Sequence, residues 1–111
     1  MIRPQTPWFV LHSPELGKAF ENFYQECNED GVLDKKSKEL LMVALTSVFR
    51  SPDHTESHIK RALEVGATKE EITEVLLLAA AEGAWTQLAS AQQIYLKYLG
   101  STDKRKLSDG P

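Results

Sequence analysis

The chain has 111 residues, of which 41% are hydrophobic and 26% are charged, and its formal net charge is −3. These values are typical of a globular protein with one modest core, and they predict a single domain over residues 1–100. A slightly acidic chain without a dense basic cluster lacks the footprint of a nucleic-acid-binding protein. The longest apolar run, residues 75–81, is too short to cross a bilayer. We therefore expect neither a nucleic acid nor a membrane as a partner.

Cysteine content indicates the compartment. Cys27 is the single cysteine, so no disulfide can form within the chain, which is typical of a reducing environment. The amino end is interrupted by Pro4 and Pro7 and has no apolar run of signal-peptide length. We expect a cytoplasmic protein, with Cys27 packed in the core as a small apolar residue.

The hydrophobic periodicity of the first half predicts only helices after an irregular segment at residues 1–12. Ser13 and Pro14 form a helix start, with a capping hydroxyl before a proline at the first helical position. Gly31 is expected to end this helix. Asp34 then caps a second helix that runs to about Phe49.

The second half contains three further predicted helices. The third begins at Ser51-Pro52 and ends at Gly66. Thr68 and Glu71 form a capping box that opens the fourth helix, residues 69–82. Gly83 is expected to interrupt the chain before a fifth helix, residues 85–99. The tail, residues 101–111, is polar and is expected to be flexible.

The fourth predicted helix is unusual because residues 75–81 are apolar on every side. A helix of this kind either occupies the centre of a fold or packs its second face on another subunit. In so small a chain we favour the second arrangement, a homo-oligomer formed through helix 69–82. Trp85, Tyr95 and Tyr98 are expected at the core or at this interface.

A histidine pair marks the start of the third helix. His54 and His58 are four positions apart and share one helix face. Ser51 is the expected N-cap, which places His54 in a first turn whose free backbone N–H groups favour an anion. Arg50, at the junction, either complements the carboxyl end of the preceding helix or holds a substrate carboxylate. Such a histidine pair is also common as ordinary polar surface, so both interpretations stay open.

Glu39 is the third candidate of this group. It lies on a mostly apolar side of the second helix, and the short connection to the third helix makes the two helices antiparallel neighbours. Glu39 and His58 are therefore candidates for one shared site. The alternative is a surface carboxylate paired with Lys35 or Lys36 at helical spacing.

Two segments, residues 36–45 and residues 58–75, resemble the carboxymuconolactone decarboxylase family, which includes alkylhydroperoxidase D (AhpD)-like proteins. The strongest part begins at His58 and continues, after an alanine, into Gly66-Ala67-Thr68 and then Glu71-Ile72. The resemblance covers most of residues 13–98. It implies an all-α fold, an AhpD-like bundle of about five to six helices, assembled as trimers or hexamers.

The chain also resembles the peroxidase branch of this family, in which a glutamate is followed by Cys-x-x-Cys and then by a histidine. On this chain Glu39 and His58 take the glutamate and histidine positions, whereas Ser51 and His54 take the two cysteine positions. Disulfide-linked peroxide reduction needs a thiolate and a resolving thiol, and a serine hydroxyl cannot replace either. We therefore expect no peroxidase activity, although annotation by family would suggest it.

The decarboxylase branch also resembles this chain, because it lacks the cysteine pair and keeps the histidine. It implies a small lactone carrying carboxylates as the substrate, and no cofactor. His58 would be the general acid/base and Glu39 would orient it. Arg50 and Ser51, at the amino end of the third helix, would hold a carboxylate. His54 is also a catalytic candidate, but the resemblance to the decarboxylase branch assigns it no role.

Three functions stay open at this point. The leading prediction is a cysteine-less family member that binds or acts on a small carboxylate or lactone metabolite, without a metal. The second is an oligomeric binding or structural protein of the same fold that has lost thiol chemistry. The third is a metal site made by Glu39, His54 and His58, the ligand count of a two-histidine, one-carboxylate centre.

Overall fold

The computed structural model describes residues 7–100, and the regular secondary structure in that range is helical throughout. The predicted all-α class is therefore confirmed. The expected polar tail, residues 101–111, lies outside the described residues, and the prediction of one domain stays a prediction. The helices are α1 (Phe9–His12), α2 (Pro14–Asn28), α3 (Lys35–Val48), α4 (Pro52–Glu64) and α5 (Lys69–Tyr98).

The chain divides after Lys38 into two compact units. In the first unit, the predicted start of α2 is confirmed: the backbone N–H of Leu16 donates to Ser13 Oγ at 3.3 Å, and Pro14 follows the cap. The prediction of irregular chain before Ser13 is wrong at α1. A short helix forms there because the N–H of Val10 donates to the Pro7 carbonyl and that of Ser13 to the Phe9 carbonyl.

A glycine sets the approach of α1 to α2. A Cβ atom added at Gly17 would lie 2.9 Å from Cγ2 of Val10, closer than side chains pack. Gly17 is buried, so the absence of its side chain lets Val10 lie directly against the helix. The two helices of this unit pack closely for that reason.

The carboxyl end of α2 is held by a lysine rather than by the predicted glycine. The helix ends at Asn28, and the Lys38 ammonium donates to the carbonyl oxygens of Cys27 at 2.9 Å and Glu29 at 2.5 Å. These bonds satisfy acceptors that a helix end leaves free. Cys27 itself is exposed, so its predicted core position is wrong. Apolar spacing indicated the helix but not which of its faces is covered.

The predicted cap of α3 is confirmed at Asp34. Its carboxylate accepts from the backbone N–H of Ser37 at 2.8 Å. That bond, and one from the Ser37 hydroxyl, hold the pKa of the Asp34 carboxyl below its ordinary value. The start of α3, and with it the position of Glu39 one turn later, is therefore anchored by local hydrogen bonds.

The second unit contains a small core between α3, α4 and the first half of α5. Arg50 has a positive φ of 58°, and this left-handed backbone turns the chain between α3 and α4. Across that turn Oγ1 of Thr55 lies 2.9 Å from Oγ1 of Thr46. The core residues are Val43, Ala62, Ala67 and Ile72, with Leu40, Ile59, Val75 and Leu76 packed against them.

The last helix is longer than the sequence pattern indicated. α5 runs unbroken from Lys69 to Tyr98, so the predicted interruption at Gly83 is wrong. A glycine inside a helix costs only about 1 kcal/mol relative to alanine, and the helix-forming residues on both sides outweigh that cost. Although α5 has 30 residues, no helix within the described range combines the length and apolarity needed to cross a membrane.

The amino end of α5 has the capping box that the sequence predicted. The N–H of Glu71 donates to Thr68 Oγ1 at 3.1 Å, and the N–H of Thr68 donates to the Glu71 carboxylate at 2.9 Å. We expect Thr68→Ala to lower the free energy of unfolding by about 1 kcal/mol, because an N-cap hydroxyl is lost. Urea denaturation followed by circular dichroism measures this change.

Thr73→Ala is the matched control for the capping prediction. The Thr73 hydroxyl donates to the Lys69 carbonyl within the same helix and caps no free N–H group. Its removal is expected to leave stability within about 0.5 kcal/mol of the parent. Equal losses in the two variants would contradict the capping role of Thr68.

Candidate functional site

A buried hydrogen-bonded pair of a carboxyl group and an imidazole lies between α3 and α4. Nδ1 of His58 is 2.6 Å from Oε2 of Glu39. The two residues are 4% and 8% exposed, and they are the buried polar residues of the described chain. The predicted neighbourhood of Glu39 and His58 is therefore observed as a direct contact.

The sequence left open that Glu39 pairs with Lys35 or Lys36 at helical spacing, whereas in the structure it contacts His58. The Lys35 ammonium lies 3.3 Å from the Glu29 carboxylate instead. Glu39 faces α4 because it precedes the fully buried Val43 by four residues and so shares its side of α3. On α4, His58 likewise precedes the fully buried Ala62 by four residues. The helix faces that build the core thus also bring the carboxylate and the imidazole together.

This contact determines how the imidazole can act. When the Glu39 carboxylate is ionised it accepts a hydrogen bond from Nδ1–H of His58, and the other ring nitrogen, Nε2, then carries a free lone pair. A carboxylate held in this way orients the ring. The pair has the arrangement of a general base with its orienting group.

The second histidine belongs to a different pair. Nδ1 of His54 is 2.6 Å from Oγ of Ser51, and His54 is exposed. Ser51 occupies the predicted N-cap position of α4, but its side chain caps no backbone N–H. The structure therefore places the candidate residues in two pairs, Glu39 of α3 with His58 of α4, and Ser51 at the amino end of α4 with His54.

These two pairs bear on the metal-site alternative. Between residues 7 and 100, no three histidine, cysteine, aspartate or glutamate side chains are grouped so that they could hold a metal ion. His54 is turned to Ser51 and is not grouped with Glu39 and His58. The arrangement of this chain thus does not provide the three ligands that the alternative requires.

An open cleft of about 540 Å³ lies at the turn between α3 and α4. Arg50 and Ser51, the predicted substrate-binding residues, both line it. The sequence did not single out Thr55, which also lines the cleft and whose hydroxyl donates to the Ser51 carbonyl at 2.9 Å. Its position four residues after Ser51 was the signal in the sequence that could have indicated it as a lining residue. The lining residues are Ser47, Arg50, Ser51, Pro52, Thr55, Glu56, Ile59 and Lys60.

Charge within the cleft is not evenly distributed. The Lys60 ammonium lies 3.2 Å from the Glu56 carboxylate, one turn apart on α4. No acidic partner contacts the Arg50 guanidinium among the described residues. Arg50 is therefore the lining cation whose charge is not neutralised within this part of the chain.

An all-α protein with a buried glutamate–histidine pair that joins two successive helices is the class that this fold and site define. The family model of the carboxymuconolactone decarboxylase family matches residues 14–95. The chain belongs to that family. The resemblance noted in the sequence is thereby confirmed.

Two similar proteins support the assignment. The "Uncharacterized protein 4 in cox locus" of Paracoccus denitrificans is 41% identical over 64 residues, and the match covers 58% of each chain. The alignment thus spans little more than half of that relative. A crystal structure of a protein from Methanobacterium thermoautotrophicum is 31% identical, with a TM-score of 0.71, and the match covers 78% of this chain and 98% of that one. This similarity is consistent with the predicted AhpD-like helical fold.

Proposed function

We propose that this protein binds and transforms a small lactone that carries carboxylates, with His58 as the general acid/base and Glu39 as the group that orients it. The observation that carries the proposal is the 2.6 Å contact between His58 and Glu39 in a nearly enclosed setting. Family membership supports the substrate class. Fold alone would not, because one fold hosts many chemistries.

The proposed chemistry is decarboxylation without a cofactor. The bond between the substrate carbon and its carboxylate breaks, carbon dioxide leaves, and the electron pair passes into the conjugated lactone carbonyl. The carbon that lost carbon dioxide then takes a proton from Nε2 of His58, which is restored from water. Glu39 stabilises the protonated imidazole before that transfer.

We propose that Arg50 and Ser51 hold a carboxylate of the same substrate. Both line the cleft at the amino end of α4, where the guanidinium and the first-turn backbone favour an anion. His54 contacts Ser51 and so belongs to this part of the site. The lone cysteine supports a reducing, cytoplasmic setting for the protein.

The proposal is tested by carbon dioxide release from carboxymuconolactone. We expect turnover by the parent, and about 10²- to 10⁴-fold lower turnover by His58→Gln and Glu39→Gln, the usual contribution of a positioned acid/base group. His12→Gln and Glu64→Gln make the same chemical changes at exposed positions and should match the parent. Release that is no faster than the uncatalysed rate, or that is equal in all variants, would overturn the proposal.

A second candidate is a binding or structural oligomer without turnover. It is favoured by the burial of His58, which at 4% exposure offers a substrate little access in a single chain. In that case the Glu39–His58 pair would hold α3 to α4. The parent would then release no carbon dioxide, while removal of either partner would still lower the free energy of unfolding.

We propose that the protein has no thiol peroxidase activity. Cys27 is the single cysteine and is exposed on α2, whereas the positions of the thiol pair carry Ser51 and His54. With dithiothreitol as the reductant, we expect tert-butyl hydroperoxide to disappear at the rate seen without protein, for both the parent and Cys27→Ser. Protein-dependent peroxide consumption that Cys27→Ser abolishes would contradict this expectation.

We further propose that the chain assembles as a homo-oligomer, a trimer or hexamer, through residues 69–82 of α5. Val75, Leu76 and Ala79 turn towards the core, while Leu77 and Leu78, on the opposite side, are 64% and 65% exposed. Adjacent exposed leucines on a helix that is apolar on all sides mark a surface that another subunit covers. A second copy of the chain supplies apolar surface for this contact, and rotational symmetry repeats the contact in every subunit.

A further inference from the structure

The contact between Ser51 and His54 has features that neither capping nor decarboxylation uses. An N-cap serine ordinarily accepts from a backbone N–H of the first turn. Here the Ser51 hydroxyl instead lies 2.6 Å from Nδ1 of His54, a short distance for a hydrogen bond between oxygen and nitrogen. In the tautomer that leaves Nδ1 unprotonated, the imidazole accepts a hydrogen bond from the hydroxyl, which is how a serine is prepared for nucleophilic attack.

The backbone beside this pair has unused donors. The N–H groups of Asp53 and His54 stand in the first turn of α4, and neither has an acceptor among the described residues. The first backbone bond of the turn is that of Thr55 N–H to the Ser51 carbonyl, at 2.9 Å. Free N–H groups next to a nucleophile are suited to stabilise the oxyanion of an acyl-transfer intermediate.

The cleft indicates what such a pair would act on. Ser51 lines the cleft, whereas His54, whose ring contacts the Ser51 hydroxyl, does not. Pro52 and Ile59 contribute apolar surface, and Arg50 contributes the cation that no described acid neutralises. A short lactone or ester that carries a carboxylate matches this combination.

We propose that Ser51 and His54 form a nucleophile–base pair that hydrolyses carboxylate-bearing lactones or esters. This activity is distinct from decarboxylation and uses neither Glu39 nor His58. Two reactions of one substrate class would then be carried by two separate pairs, each with one histidine of α4.

The steps balance with water as the co-reactant. Ser51 Oγ attacks the acyl carbon while its proton moves to Nδ1 of His54. The bond between the acyl carbon and the ring or leaving oxygen then breaks, and His54 returns the proton to that oxygen. Water, deprotonated by His54, next attacks the acyl-serine, and the Ser51–acyl bond breaks with the proton returned to Oγ. The products are a carboxylic acid and an alcohol, with no change of oxidation state.

The first test is covalent labelling with a fluorophosphonate probe, followed by intact mass measurement and peptide mapping. We expect one adduct on Ser51, none in Ser51→Ala, and labelling slowed about a hundredfold in His54→Gln, the lower range for loss of a general base. Ser57→Ala is the matched control, because its hydroxyl donates to the Asp53 carbonyl and does not line the cleft. Absence of an adduct, or equal labelling of urea-unfolded protein, would overturn the proposal.

The second test compares two 4-nitrophenyl esters, the succinate monoester with a free carboxylate and the uncharged butyrate. Ser51→Ala is expected to abolish protein-dependent release of nitrophenol from both. Arg50→Gln is expected to raise KM for the succinate about tenfold, the value of a charged hydrogen bond, and to leave KM for the butyrate unchanged. Circular dichroism verifies that each variant is folded, and hydrolysis by folded Ser51→Ala at the parent rate would disprove the role of Ser51. Because ester cleavage releases no carbon dioxide, its failure is distinguishable from failure of the proposed decarboxylation.

Discussion

Replacement of His58 by alanine is expected to lower the free energy of unfolding by about 3–5 kcal/mol, the usual cost of leaving a buried charged group without its partner. The Glu39 carboxylate would stay enclosed with its 2.6 Å partner gone. An isolated carboxylate in such a setting loses its hydration without compensation. The void left by the imidazole adds to the cost, because the tightly packed core relaxes only partly.

Urea denaturation at neutral pH measures this loss of stability, and a variant in which both partners are replaced identifies its origin. We expect His58→Leu combined with Glu39→Leu to be less destabilised than His58→Ala alone, because the double variant buries no unpaired charge. His12→Ala removes an exposed histidine from α1 and is expected to change stability by less than about 0.5 kcal/mol. A loss below about 1 kcal/mol in His58→Ala would contradict the burial of the pair.

Replacement of both Leu77 and Leu78 by glutamate is expected to convert the proposed oligomer into a monomer. Both side chains are exposed in the single chain, so glutamate is tolerated there by the isolated fold. In an assembled interface the same two carboxylates would be buried in apolar surroundings without partners, which costs several kcal/mol for each. Because this cost is repeated in every subunit, it exceeds the net free energy of association of most interfaces of ordinary size.

Light scattering coupled to size exclusion measures the outcome. The parent is expected at a multiple of the 12.5 kDa chain mass and the double variant at 12.5 kDa. The combined change Asn22→Glu and Gln25→Glu adds the same charge to exposed positions of α2 and is expected to leave the parent mass unchanged. A parent that elutes as a 12.5 kDa monomer would contradict self-association.

Local sequence patterns predicted the helices well where a short-range hydrogen bond caps the amino end of the helix. Ser13, Asp34 and the Thr68–Glu71 box each satisfy backbone donors within three or four residues, so their effect is complete before any tertiary contact forms. The same local analysis was wrong at Gly83. There a small propensity cost opposes the cooperative extension of a long helix, and the helix continues.

The sequence by itself determined the all-α class through its periodicity and the lack of a second thiol through its composition, and it indicated the family through the resemblance of residues 36–45 and 58–75. Only the tertiary structure decided that Glu39 pairs with His58 rather than with a neighbouring lysine, and that His54 turns to Ser51. Spacing along one helix limits which residues share a face. The partner from another helix depends on how the two pack, and here the core around Val43 and Ala62 sets that packing.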